Sequence, residues 1–206
     1  MIRGGFLMKM YANEKSSAVL SIYPFSEIGF ERAYSLSSLC FIFFSFSMAG
    51  WLWEVFLHII IDGKFINRGV LFGPWLPIYG CGSVLILLVL KRWRGQPLRT
   101  FGLILLLCGT LEYFSGLFLE TFFHAKWWDY SDMILNLHGR VCLEGLIIFG
   151  IGGLVLIYFA APRMDNWFQR LAPRARLWFC CILTFLFLCD LARSILAPNM
   201  GFGITA

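Results

Sequence analysis

Long apolar runs separated by short charged connectors set the pattern of this chain. Ser35 to Ile61, Val70 to Leu90, Thr100 to Phe123, Val141 to Ala161 and Leu177 to Ala197 each reach or exceed the ~20 residues that cross a bilayer as a helix. They predict an all-α integral membrane protein with about five transmembrane helices (35–61, 70–90, 100–123, 141–161 and 177–197) in one domain over 35–197. Residues 1–34 form a mixed segment before that domain, and 198–206 a short tail after it. The second run is broken early, because Gly73-Pro74 and Pro77 fall in its first third. Their missing amide donors require a kink, an unwound stretch or a re-entrant segment, which lipid tolerates only against protein or a wet cavity.

Composition sharpens the picture. The 206 residues are 59% hydrophobic and only 14% charged, with a mean hydropathy of +0.75. A soluble domain carries roughly 25% charged residues, so a soluble enzyme and a disordered chain are excluded. The net charge of +5 does not signal nucleic acid, which needs cations clustered on one face. Here they occupy connectors, where topology and the lipid bilayer account for them. Lys91, Arg92, Arg94 and Arg99 lie between runs two and three, and Arg163, Arg170, Arg174 and Arg176 between runs four and five. The opposite connectors hold only Lys64 and Arg68, then Lys126 and Arg140. The positive-inside rule therefore puts the N-terminus in the cytoplasm and the C-terminus outside. The seven cysteines show no C-x-x-C spacing and read as small buried residues, not as a disulfide framework or zinc site.

Acids sort to one side in this orientation. Glu54, Glu120, Glu144 and Asp190 fall in the outer halves of their runs and Glu112 near mid-membrane. A charged carboxylate at depth costs roughly 2.5–3.5 kcal/mol on insertion scales, so five together are candidates for function, internal pairing being the alternative. Gly109, Glu112, Gly116 and Glu120 share one helical stripe. Its glycines let a neighbour approach closely, with Gly145 and Gly152 as the matching small residues on the fourth run. Arg140 precedes Glu144 by four, a poor order for an intrahelical pair at a helix start, so Arg140 reads as a partner for a distant carboxylate or an anionic ligand. Asp190 and Arg193 read as an intrahelical ion pair.

The chain also repeats itself. Glu54-Val55-Phe56-Leu57-His58 ends one run and Glu120-Thr121-Phe122-Phe123-His124 another. Each is followed by an outer loop with Asn and an Arg-Gly pair (Asn67-Arg68-Gly69; Asn136 and Gly139-Arg140). This suggests a tandem helical-hairpin repeat, a device known in transporters. His58 and His124 are weak metal candidates, since no further ligand spacing supports them and interfacial histidines are common. No cofactor is expected. Trp75 and Trp127-Trp128-Asp129-Tyr130 fit an aromatic belt, though Asp129 among those rings calls for a partner.

Two segments carry a resemblance. Phe65 to Gly69 with Leu71 to Gly80, and Ala125 to Asp132 with Asn136 and Gly139 to Leu143, resemble the signature of the CmpB-like family of bacterial ABC-transporter (type IV) membrane proteins. The resemblance covers about residues 36–165. It implies a permease-like membrane component of a transport system in the bacterial plasma membrane, with a separate ABC ATPase subunit as partner and room for homo-oligomerisation. No G-x-x-x-x-G-K-[ST] loop occurs, so ATP hydrolysis falls to another chain. The basic connector Arg163 to Arg176 is the candidate contact for that chain, or else a helix lying on anionic lipid. The expected ligand site opens outward and is lined by Glu54, Arg68, Trp75, Glu112, Glu120, Trp128, Asp129, Asn136, Arg140 and Glu144. The alternatives are a membrane-embedded enzyme acting on lipid or cell-envelope precursors, with two carboxylates as acid and base, and a non-catalytic accessory subunit.

Overall fold

The computed structural model describes Gly29 and residues 31–200; most of the segment 1–34 and of the tail 198–206 lies outside them. The chain is an all-α, multi-pass membrane protein. Helix α1 runs Leu36–Asp62, α2 Pro77–Val89 and α3 Pro97–Phe123. A two-residue hairpin of β1 (Asn136–Leu137) and β2 (Val141–Cys142) leads into α4, Leu143–Val155. A π turn over Leu156–Ala160 joins α4 to α5, Ala161–Phe168, and α6 covers Pro173–Leu196. Among the described residues four helical stretches are long and apolar enough to cross a membrane: α1, α3, α6 and the continuous Leu143–Phe168.

The second run differs in kind. Its helix has 13 residues, about 20 Å at 1.5 Å per residue, too short to span alone. Pro77 starts it, where a missing amide costs nothing, and the chain from Gly63 to Leu76 is irregular. Part of that stretch's polar backbone is met by protein groups. Leu76 N donates to Ser47 O at 2.9 Å, and Asn67 Nδ2 donates to Phe72 O at 2.9 Å.

Both long hairpins are built alike. Helices α1 and α3 each have 27 residues and end on a left-handed residue, Gly63 (φ 64°) and His124 (φ 54°). Each following loop is pinned by an asparagine: Trp51 Nε1 donates to Asn67 Oδ1 at 2.6 Å, and Gly139 N to Asn136 Oδ1 at 3.1 Å.

Glycines set the helix spacing. A Cβ on Gly80 of α2 would lie 2.2 Å from Ser47 Oγ and 2.6 Å from Phe43 O, so α1 and α2 cross with their backbones nearly touching. Between α3 and α4 the close approach is made by Gly150 against Phe101 and Gly153 against Ile104. Gly145 and Gly152 do not make it: a Cβ on Gly152 meets open space, and one on Gly145 meets only Cys142 of its own turn. The core between these helices is Ile42, Ile86, Leu87, Leu90, Ile104, Leu156, Ile157 and Ala161. Helix α6 is peripheral, with only Ser194 buried, and leans on α1 through ring contacts such as Phe43–Phe187 at 5.7 Å. The cysteines are free, but Cys81, Cys181 and Cys189 turn outward instead of being buried.

One end of the bundle is basic and closed. Arg94 is 1% exposed and donates to Arg32 O at 3.1 Å and to Leu87 O, while Tyr158 of the π turn donates to Arg94 O. Arg32 pairs with Asp165 at 3.0 Å. That pair explains why the fourth helix continues past Ala161: the residues that read as a connector turn Asp165 inward to a cation. The wide turn just before Pro162 also makes its absent amide harmless.

Candidate functional site

The opposite end gathers the acids. Glu112, on α3, is 4% exposed, and its Oε1 accepts the Tyr130 phenol at 3.1 Å. Its Oε2 is buried and has no hydrogen-bond partner among the described residues. Glu54, on α1, accepts the Tyr79 phenol of α2 at 2.8 Å. Each of the two acids is thus held by one phenol, and the two sit on different helices. No Lys, Arg or His among the described residues pairs with either acid.

The phenols are held in place from behind. Tyr79 fills the notch over Gly50, whose Cβ would lie 2.3 Å from its ring, and stands edge-on to Phe149 at 5.9 Å. Tyr130 N donates to Gly139 O at 2.7 Å, tying the ring to the hairpin. Gly139 has φ 67° and no room for a Cβ, which would sit 2.4 Å from Asp129 Oδ1. Burial, then the Glu112 and Glu54 charges, push the Tyr130 phenol far above its usual value, so it acts as a donor.

Further along the α3 stripe the outer loop lies directly on the helix. Gly116 faces Trp128 and Arg140, 3.2 Å and 3.5 Å from where its Cβ would be. Arg140 reaches Glu120 at 2.5 Å, with Tyr113 under its guanidinium at 5.5 Å. Trp128 Nε1 donates to Arg140 O at 2.9 Å. The stripe Glu112–Gly116–Glu120 is thus roofed by Tyr130, Trp128 and Arg140 in turn.

The remaining sequence-derived residues lie elsewhere. Trp75 donates to Asp190 at 2.8 Å, and the Phe72 and Gly73 amides donate to the same carboxylate. Asp190 therefore clamps the broken segment and does not form the ion pair expected with Arg193, whose guanidinium lies over the Phe72 ring at 4.0 Å. Asp129 is exposed, bonded to Lys126 at 3.1 Å and to Ser131 N at 3.0 Å. Hydrogen bonds from the Ser131 hydroxyl first, then from Lys126 and the Ser131 amide, hold its carboxyl below the ordinary range. Asn136 serves its own turn, donating to Ser131 O and Met133 O. Glu144 is exposed in the first turn of α4, a favourable end of the dipole for an acid. Neither Arg68 nor Glu144 makes a hydrogen bond or ion pair among the described residues. His58 pairs with Asp62 at 2.5 Å, His124 caps α3, and no group of three metal-binding side chains forms among the described residues.

Reading the sequence alone misses Tyr79, Tyr130 and the clamp role of Asp190. The available signals were Tyr79 just inside the helix that Pro77 starts, and Tyr130 closing the Trp-Trp-Asp-Tyr motif.

Residues 41–195 match the family model described as "Putative ABC-transporter type IV", CmpB. No curated protein and no solved structure matches the chain.

Proposed function

The chain belongs to the CmpB family of ABC-transporter type IV proteins, and from that premise we propose that it is the permease-like subunit of a transport system powered by a separate ABC ATPase. In this reading it sits in the bacterial plasma membrane with the basic end and N-terminus cytoplasmic and the C-terminus outside. The cations at one end support that orientation. The ATPase docks at the basic end, where the helix Ala161–Phe168 runs into Arg170 and Arg174 with Trp167 exposed. The ligand site is the acidic end, centred on Glu54 and Glu112 and flanked by the Glu120–Arg140 pair.

One observation carries the reading: a buried Glu112 oxygen is left without a hydrogen-bond partner among the described residues. An acid kept only to join helices would spend both oxygens on donors, since an unmet buried group costs about 1–3 kcal/mol. The test is purification of the tagged chain in mild detergent. An ABC ATPase is expected to co-purify, and Glu112→Gln is expected to keep both abundance and partner while lowering transport. A chain that stays alone contradicts the transport assignment. Loss of abundance in Glu112→Gln contradicts the site.

A further inference from the structure

We propose that Cys40 and Cys180 form a redox-sensitive thiol pair, which a peroxide oxidises to a disulfide that locks the peripheral helix α6 onto α1. The inference stands on the contact between these two helices and does not depend on the transport reading.

Both thiols are free and half-buried, and each reaches across the seam between the helices. Cys180 Sγ donates to Ser37 O at 3.6 Å. That carbonyl points along α1 towards the amide four residues on, which puts it beside Cys40. Cys40 Sγ in turn lies 4.0 Å from Thr184 Oγ1, one helical turn beyond Cys180 on the same face of α6. The two sulfurs also share a hydrogen bond. Their neighbours in sequence, Phe41 and Phe179, meet edge-on with centroids 5.8 Å apart, and so hold the helices together at this level. Cys81, Cys181 and Cys189 turn outward instead.

The chemistry takes two steps. One thiolate sulfur attacks a peroxide oxygen, the O–O bond breaks, and hydroxide leaves to become water with the proton that the thiol gave up; a sulfenic acid remains. The second sulfur attacks the sulfenic sulfur, the S–S bond forms, and the hydroxyl departs as water with the second thiol proton. The pair has lost two electrons, the peroxide has gained them, and a dithiol reductant reverses the step. The link matters because α6 has only Ser194 buried, yet its Asp190 holds the Phe72 and Gly73 amides of the broken segment. Tying α6 to α1 therefore steadies that segment as well.

The experiment treats the purified full-length chain in detergent with hydrogen peroxide, blocks the remaining thiols with N-ethylmaleimide and maps peptides by mass spectrometry without reduction. The expected product is one peptide pair joined through Cys40 and Cys180, lighter by two hydrogens than its parts and released by dithiothreitol. Cys40→Ser and Cys180→Ser should each abolish it, and Cys181→Ser should retain it. The mapping is read on the native chain, so it decides the matter even where a variant loses the fold. Hydrogen exchange along α6 and at the Phe72 and Gly73 amides should slow on oxidation and recover on reduction. Absence of the cross-link in folded, peroxide-treated protein overturns the proposal, as does a Cys180–Cys181 disulfide in its place or oxidation of either thiol to sulfinic acid without a link. A cross-link that leaves exchange unchanged overturns the lock.

Discussion

Gly80→Val is expected to destabilise the protein by about 1–3 kcal/mol or more and to lower its yield in membranes. Gly80 is where α2 rests on α1. The first carbon of any side chain there would stand 2.2 Å from Ser47 Oγ and 2.6 Å from the Phe43 carbonyl. A hydroxyl can rotate aside; a backbone oxygen inside a helix cannot. The two helices must then separate, and the damage spreads because Tyr79, the preceding residue, is wedged over Gly50 of α1. The Tyr79 phenol would leave Glu54, so the site fails together with the packing. Gly152→Ala is the informative contrast, since its new methyl meets open space. It should hold or gain stability by up to about 1 kcal/mol from helix propensity. Thermal unfolding of both variants in the same detergent checks the pair, and equal behaviour would refute the close crossing.

The second large effect is expected at Asp190. Its carboxylate accepts from Phe72 N at 3.1 Å, Gly73 N at 2.8 Å and Trp75 Nε1 at 2.8 Å, and so joins the peripheral α6 to the broken segment before α2. Asp190→Ala leaves three donors unmet at a cost of about 1–3 kcal/mol each, towards the lower end because the group is only half-buried. Helix α6 retains its ring contacts with α1, so the expected damage is local. Hydrogen exchange at the Phe72 and Gly73 amides should accelerate strongly, and Trp75 fluorescence should shift towards that of a wetter ring. Asp190→Asn keeps one acceptor oxygen and should fall between. Unchanged exchange in Asp190→Ala would mean that the segment holds itself.

The legible part of this molecule was the part written in local periodicity. Hydropathy alone marks the membrane helices, because a bilayer admits few other solutions. The stripe Glu112–Gly116–Glu120 is visible because helical spacing places those residues on one face. Pro74 and Pro77 announce the break in the second run. What escaped was set by distant contacts. Nothing near Tyr130 in sequence says that it reaches Glu112, 18 residues away, and nothing near Asp190 says that it serves amides more than 110 positions earlier. The glycine match on α4 went to Gly150 and Gly153 instead of Gly145 and Gly152, because the rotation of a helix about its axis is decided by its partner. The same rotation leaves Glu144 facing outward.

The central claim is that Glu54 and Glu112, from different helices, act as one unit. A double-mutant cycle of Glu54→Gln and Glu112→Gln, read by thermal unfolding at neutral pH, tests it most directly. On this account each single change relieves the same like-charge repulsion, so the double variant should depart from the sum of the two by about 0.5–3 kcal/mol. Additivity to within about 0.3–0.5 kcal/mol, the behaviour of independent groups, would show that the acids do not meet and would remove the site.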